Sequence, residues 1–258
     1  MINIFNEDCI TGMRTRLKAG EVDVIVTSPP YNLGTAYGVY DDHISRKNYL
    51  EWIFDVSYEM YRVLSDAGSL FLNLGSKPTD PWVPYDILQV FRRNFKLQNT
   101  IIWCKHITID SIGKSFGHFK PISSKRFVND CFEYIFHFSK SGNVPLDRLA
   151  IGVPYQDKSN VERWGGVKSD LRCRGNVWFC PYETITNRQK DRPHPATFPV
   201  QLATNCLLVH GKDRIRLVLD PFMGIGTTGK ACQELGIDCI GFDIDTGYCE
   251  VAEKLLGG

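Results

Sequence analysis

The sequence of 258 residues predicts an α/β fold with a doubly wound, mostly parallel sheet and a small irregular insertion. Three observations predict it. Six short apolar runs are continuous rather than alternating in polarity, the pattern of strands buried on both faces of a parallel sheet. Stretches with helical spacing lie between them, and strand alternating with helix is the rhythm of βαβ units. A glycine-rich turn also joins one apolar run to the start of a helix.

The runs are Val22–Val26, Ser69–Leu74, Thr100–Cys104, Phe132–Phe138, Arg216–Leu219 and Cys239–Phe242. Between the first two, Asn48–Leu64 carries Tyr49, Trp52, Ile53, Val56 and Met60 at helical spacing and should end before a turn at Ser65-Asp66-Ala67-Gly68. Pro84–Phe95 and Pro199–His210 also read as helices. Gly142–Arg192 breaks the rhythm with scattered Gly, Pro, Asn and Arg, together with Trp164, Trp178, Tyr155 and Tyr182. The chain is therefore divided into a catalytic part at 1–141, an insertion at 142–192 and a cofactor-binding part of the same domain at 193–258.

Composition is that of a globular protein, 43 % hydrophobic and 23 % charged. No apolar run approaches the roughly 18 residues of a membrane helix. Residues Met1–Asp8 lack the basic and apolar segments of a secretory signal, so a cytoplasmic location and no membrane partner are expected. None of the nine cysteines falls in C-x-x-C, so reduced thiols and no metal site are expected. The net charge of +1 hides a segregation: Lys105–Arg192 holds 15 basic against 9 acidic residues, a balance of +6, and the remainder carries −5. Such a division suits one face meeting a polyanion.

Two constellations carry chemistry. Thr27-Ser28-Pro29-Pro30-Tyr31 follows the first strand as a stiff elbow, because both prolines fix φ and lack an N–H. Their carbonyls, with that of the preceding residue, are expected to be free acceptors that could hold an amino group while the ring of Tyr31 stacks on the molecule carrying it. The loop Leu33–Arg46 that follows reads equally as a lid or as a surface excursion.

In the second, the strand Leu217–Asp220 leads into Pro221-Phe222-Met223-Gly224-Ile225-Gly226-Thr227-Thr228-Gly229-Lys230. Gly224, Gly226 and Gly229 fit G-x-G-x-x-G, and Asp243 ends the next strand 19 residues after Gly224, placed for ribose hydroxyls. An adenosine-containing cofactor is expected. Ala231 stands where a phosphate-binding P-loop needs Ser or Thr, which argues against an NTPase. Nicotinamide would suit Asp243 equally but would leave the elbow unexplained.

Ser28-Pro29-Pro30-Tyr31 and Phe222-Met223-Gly224-Ile225-Gly226 together resemble the two signature motifs of the amino-methylating nucleic-acid methyltransferases that use S-adenosylmethionine. Their order is similar to that of the permuted beta group. His194-Pro195-Ala196-Thr197-Phe198-Pro199 resembles the lead-in helix of that family, the Asp8-Cys9 turn its adenine-contacting segment, and Lys125-Arg126-Phe127-Val128-Asn129 a further family segment. The resemblance implies a Rossmann-like methyltransferase fold in permuted order, with the first residues lying beside the last strands. It implies S-adenosylmethionine held by Asp8, Cys9, Thr197, Phe198, Asp220, Phe222, Gly224, Gly226, Thr227 and Asp243. Ser28, Pro29, Pro30 and Tyr31 would act on a base flipped from its helix, since a stacked base cannot reach such a pocket.

In the family a serine at position 28 usually accompanies cytosine N4 methylation, and the lead-in also resembles cytosine-amine members. The expectation is thus a site-specific DNA cytosine-N4 methyltransferase, with adenine N6 of DNA and cytosine N4 of structured RNA as alternatives. Methylation at cytosine carbon five needs a Pro-Cys nucleophile, and the chain has none. The insertion occupies the family's target-recognition position. Arg126, Asn129, Arg163, Lys168, Arg172 and Arg174 are the candidate nucleic-acid contacts, with Trp164 and Asn187–Lys190 beside them. DNA is the expected partner; RNA, a second copy of the chain and a cognate restriction endonuclease stay open.

Overall fold

The computed structural model describes residues 1–117, 119, 122–159, 161, 170–181 and 197–257. Ten strands and six helices run along them: β1 (Ile2–Asn6), α1 (Cys9–Arg16), β2 (Val22–Thr27), α2 (Arg46–Val63), β3 (Leu64–Leu74), α3 (Val83–Phe91), β4 (Lys96–Cys104), β5 (Ile107–Ile109), β6 (Lys114–Phe116), β7 (Phe132–Ser139), β8 (Val177–Phe179), α4 (Val200–His210), β9 (Leu217–Asp220), α5 (Thr227–Leu235), β10 (Asp238–Asp243) and α6 (Thr246–Leu256). Eight strands form one sheet in the order β1-β10-β9-β2-β3-β7-β4-β8, and β5 and β6 form a separate hairpin.

The sheet is buried on both faces because its central strands are largely apolar on both sides, with Asp23, Thr27, Ser69, Asn73 and Asp220 as buried polar exceptions. Leu70, Leu72 and Leu74 of β3 and Leu219 of β9 pack with Met13, Tyr49, Ile53, Met60, Ile87 and Phe91 on one side. Phe71 and Val218 point the other way, toward Trp103, Trp178, Leu202, Cys206 and Ala231. Local signals set the helix starts: Asp8 accepts from the Thr11 N–H at 2.9 Å, Ser45 from Asn48 at 3.3 Å, and Asp245 from Gly247 and Tyr248 at 2.8 and 3.3 Å. The expected first-to-last adjacency is present, since β1 pairs in parallel with β10 from Ile2↔Cys239 to Asn6↔Asp243.

Two expectations are corrected. Ser65–Gly68 do not form a turn outside the sheet; β3 begins at Leu64 and these residues are an irregularity inside it, between the pairs Val22↔Leu64 and Val24↔Ser69. A β-carbon on Gly68 would press on Leu64 and come within 3.0 Å of the Asp23 carbonyl, so the excursion needs glycine. The strand at Phe132 is not parallel: β7 is antiparallel to both β3 and β4. A parallel return requires a crossover element, usually a helix. Among the described residues, the connection from β4 to β7 contains only the β5–β6 hairpin and a short 3-10 turn at Asp110–Ile112.

The start of α3 is fixed by Val83 and Pro84, and it stops at Phe91 rather than at Phe95. Within the segment 142–192, β8 docks on β4 in parallel, with Trp178 buried opposite Trp103. All nine cysteines carry free thiols, seven of them buried. Among the described residues no helix is long and apolar enough to cross a membrane, and no cluster of His, Cys, Asp or Glu could hold a metal.

A polar chain is buried across the sheet. Ser69 Oγ lies 3.0 Å from His137 Nε2 and 2.9 Å from His210 Nδ1, and Asn99 Nδ2 lies 3.0 Å from His137 Nδ1. Burial pushes both histidines down to about 4, with each further depressed by a neighbour, His210 beside His137 and Arg214 beside His210.

Candidate active site

From β9 through α5 the chain steps to β10 on one side; from β2 through α2 it steps to β3 on the other. The winding therefore reverses between β9 and β2, and a crevice opens outside the carboxyl ends of strands at such a reversal. A pocket lies there. It is lined by Ser28, Pro29, Pro30 and Tyr31 after β2, by Asp220, Phe222, Gly224 and Thr227 after β9, by Asp243 at the end of β10, by Asp8 and Cys9 at the start of α1, and by Thr197 and Phe198. Segments 28–31 and 220–224, distant in the chain, share one cavity.

Asp220 holds the two together. Its Oδ1 accepts from Thr27 Oγ1 at 2.7 Å and from the Phe222 N–H at 3.0 Å, and its Oδ2 accepts from Thr228 Oγ1 at 2.6 Å. Burial raises its carboxyl to about 6 against the pull of these donors. Asp243 accepts the Gly224 N–H at 2.9 Å on Oδ2 and the Asp245 N–H at 2.8 Å on Oδ1, which fixes the turn whose Gly224 has φ of 53°. Its acidity is weakened by burial as well. A carboxylate has about four acceptor sites, so two remain for ligand hydroxyls.

The elbow is more heavily bonded than expected. Pro30 is not a free acceptor, because Tyr49 Oη donates to its carbonyl at 2.6 Å from the first turn of α2. Ser28 Oγ lies 2.7 Å from Tyr31 Oη. Tyr31 Oη is in turn 3.0 Å from Asn73 Nδ2, 3.2 Å from the Asn73 carbonyl and 3.3 Å from Glu133 Oε2. The aromatic ring of the elbow is thus pinned at its hydroxyl.

The loop after the elbow covers the pocket. Asp42, buried, accepts the N–H groups of Asn32, Leu33 and Thr35 at 2.8–3.0 Å and so folds the loop on itself. Tyr37, Gly38, Val39 and Tyr40 then line the cavity, Tyr40 against Trp52, and Trp52 edge-on to Phe222 at 5.6 Å. Gly38 approaches α6 so closely that a β-carbon would overlap Asp245 Oδ2, and its backbone bonds the Tyr248 hydroxyl.

Among the expected cofactor residues, Gly226 does not line the cavity. Its φ is +89°, and a β-carbon there would lie 3.0 Å from that of Ala252 on α6. Its small size serves helix packing and a left-handed N-cap.

Of the candidate nucleic-acid residues that are described, Arg126, Asn129, Arg172 and Arg174 do not line the pocket. Arg126 is exposed, with its guanidinium over Phe127 at 4.8 Å, and Asn129 is half-buried. Arg172 is exposed, whereas Arg174 donates to the Ile151 carbonyl at 3.0 Å and is half-buried. Arg163, Lys168, Trp164, Tyr182, Asn187–Lys190 and His194–Ala196 lie outside the described residues. Sequence reasoning missed Tyr37, Tyr40, Trp52, Asn73, Glu133 and Tyr248. Position at a strand's pocket end is the signal that could have found Asn73.

The chain matches the N6_N4_Mtase family, DNA methylase, over residues 22–254. It belongs to that family. Among curated relatives, Type II methyltransferase M.HpaI of Haemophilus parainfluenzae is 30 % identical over 93 % of this chain and 69 % of the relative. DNA adenine methyltransferase YhdJ of Escherichia coli (strain K12) is 25 % identical over 98 % of this chain and 82 % of its own. Among solved structures, the PvuII DNA methyltransferase (cytosine-N4-specific) shares the fold with a TM-score of 0.71, at 17 % identity over 97 % of this chain and 84 % of that one.

As a DNA methylase of this family, the protein is an S-adenosylmethionine-dependent DNA methyltransferase acting on an exocyclic amine, N4 or N6. The pocket of this DNA methylase fits that cofactor. The Tyr40 hydroxyl, one of the cavity's walls, is buried without a hydrogen-bond partner. Gly38 and Gly224 bring bare backbone to the cavity, Asp243 offers carboxylate acceptors, and Trp52, Phe198 and Phe222 supply apolar walls.

Proposed function

We propose that the protein methylates the N4 amine of cytosine within a specific DNA sequence, taking the flipped base into the pocket beside the elbow. The observation that carries the reading is Ser28 Oγ on the pocket wall, held at 2.7 Å by Tyr31 Oη. A hydroxyl, unlike a carboxylate, can accept one hydrogen of an amine and pass another on.

When bound, S-adenosylmethionine supplies an electrophilic methyl group on a sulfonium. Asp8, Cys9, Thr197, Phe198, Phe222, Gly224, Thr227 and Asp243 would hold the cofactor, with Asp220 bracing the two loops rather than bonding it. The target amine is a poor nucleophile because its lone pair is delocalised into the ring. Ser28 Oγ and the Pro29 carbonyl would accept its two hydrogens and localise that pair on nitrogen. The ring of Tyr31, pinned at its hydroxyl, would present a fixed face to the base. In-line placement then lowers the barrier without any covalent intermediate. Segment 142–192 would read the target sequence, with Arg126, Asn129, Arg163, Lys168, Arg172 and Arg174 meeting phosphates or base edges.

The adenine-named relative in Escherichia coli makes adenine N6 the second reading. One experiment separates them: incubation of unmethylated DNA and of RNA with labelled cofactor, followed by nucleoside mass spectrometry. N4-methylcytosine in DNA is the expected product; N6-methyladenine supports the second reading, and label in RNA alone overturns both.

A further inference from the structure

Transfer to an exocyclic amine leaves a proton to be disposed of. The nitrogen's lone pair forms the new N–C bond as the carbon–sulfur bond breaks, and the sulfur keeps that bonding pair. The amine then carries one positive charge and one proton too many. Ser28 alone cannot remove that proton, because a hydroxyl is a weak base.

The carboxylates of the cofactor side are committed elsewhere. Asp220 is buried under three donors, and Asp243 holds two backbone N–H groups. A different carboxylate is wired to Ser28. Ser28 Oγ, Tyr31 Oη and Glu133 Oε2 form a chain of 2.7 and 3.3 Å. Asn73 Nδ2 sits across it, donating to Glu133 Oε2 at 2.6 Å and to Tyr31 Oη at 3.0 Å. Its own Oδ1 is buried without a partner. An amide that leaves its acceptor unpaired to turn both hydrogens inward marks a strong acceptor at the centre. Lys105 Nζ lies 3.2 Å from the other oxygen, Oε1, so Oε2 faces the chain of hydroxyls. With Asn73 Nδ2 donating to Tyr31 Oη, the phenolic hydrogen has two acceptors beyond Ser28, the Asn73 carbonyl at 3.2 Å and Glu133 Oε2 at 3.3 Å, and of these only the carboxylate can take the proton up.

We propose that Glu133 is the terminal proton acceptor of methyl transfer, reached from the target amine through Ser28 Oγ and Tyr31 Oη; the inference rests on the amine-methylating reading above. The amine gives its surplus proton to Ser28 Oγ, the Ser28 proton passes to Tyr31 Oη, and the Tyr31 proton passes to Glu133 Oε2. The two hydroxyls end as they began, the amine is neutral, and a carboxylic acid has formed that later loses its proton to solvent. Glu133 touches neither base nor cofactor, so it is a positioning residue that acts through the elbow.

The test is a single-turnover methyl-transfer assay on unmethylated DNA with the full chain, with cofactor and DNA dissociation constants measured separately. Glu133→Gln keeps the size of the side chain and can still accept from Asn73, but its amide cannot take up the proton. The expected loss in rate is about 100-fold or more, the scale of a general base, with both dissociation constants within about threefold of wild type. Glu133→Asp should recover a large part of that loss. Tyr31→Phe keeps the ring, breaks the chain at its middle and should lose rate to a similar extent. If Glu133→Gln retains the wild-type rate within about threefold, the residue only anchors Tyr31 and the proposal is overturned. Should Glu133→Gln not fold, judged by circular dichroism and cofactor binding, Tyr31→Phe decides on the same criterion. A wild-type protein that methylates no amine in DNA is a separate result; it would remove the proposed function itself.

Discussion

Thr27 and Asp220 are separated by 193 positions in the chain and joined by a buried hydrogen bond of 2.7 Å. Thr27 is the last residue of β2 before the elbow, and Asp220 is the last of β9 before the cofactor loop. One bond therefore sets the spacing between the place where a base amine would be held and the place where its methyl donor would lie. Replacing Thr27 with Val keeps the shape and leaves the carboxylate short of one donor. The expected cost is about 1–3 kcal/mol in urea unfolding. Methyl-transfer rate should fall more than cofactor affinity, because it is the relative placement of the two loops that slackens.

Ser28→Ala removes the acceptor for the amine and one end of the hydroxyl chain. Single-turnover transfer should drop by roughly two orders of magnitude or more, while isothermal titration with S-adenosylmethionine stays close to wild type. A rate within a few-fold of wild type would mean that the amine is held elsewhere.

Gly38 and Gly226 make opposite predictions although both border the cofactor region. At Gly38 a β-carbon meets Asp245, whose carboxylate is fixed as the N-cap of α6, so Gly38→Ala should push the covering loop outward. Cofactor affinity should weaken by about tenfold, with unfolding stability nearly unchanged. At Gly226 the strain falls on the packing of α6, since φ is +89° and Ala252 is 3.0 Å away. Gly226→Ala should lower stability by about 1–3 kcal/mol. Its effect on cofactor binding should be secondary and follow that loss in a temperature series.

The buried pair His137 and His210 makes stability depend on pH. Both are pushed down to about 4 from an ordinary value of 6.5, so the folded state binds fewer protons than the unfolded chain between those limits. Stability is present above pH 6.5 and is lost as pH falls toward 4, by on the order of 3 kcal/mol for each histidine. Asp220 acts in the opposite sense. Raised to about 6 from 3.8, it binds its proton more readily when folded, and its contribution is lost as pH rises from about 4 to 6. Two histidines outweigh one carboxyl. Urea midpoints should therefore fall on acidification below pH 6.5, and more shallowly in His210→Gln.

Much of this architecture was legible because the strands of a sheet covered on both sides are mostly apolar and do not alternate in polarity. Val22–Val26 and Cys239–Phe242 lie within a residue or two of strands β2 and β10, and the two motif loops point to one pocket by their residues alone. What escaped depends on contacts that no local pattern encodes. Ile2–Asn6 is too short and mixed in polarity to mark itself as a strand, although the order of the motifs already placed the first residues beside the last strands. Trp52 carries the spacing of a core helix residue, and its place in the pocket wall follows only from the fold of the loop above it. Asp42 looks like an ordinary loop acid until it is seen collecting three backbone N–H groups. Glu133 sits in an apolar strand, where its charge has no meaning until Lys105, Asn73 and Tyr31 surround it.

The direction of β7 decides which of its ends faces the cleft. Running against β3, it pairs Tyr134 with Leu74 and Phe138 with Leu70, so its opening residues arrive at the rim where β3 finishes. Were its polarity the same as that of its neighbours, Ser139 would stand at that rim and residue 133 would emerge on the far side of the molecule. A single reversed strand thus carries a side chain from the chain's third quarter to the amine-handling corner, and any insertion between β4 and β7 that turned it over would disconnect that corner without altering one residue of the elbow.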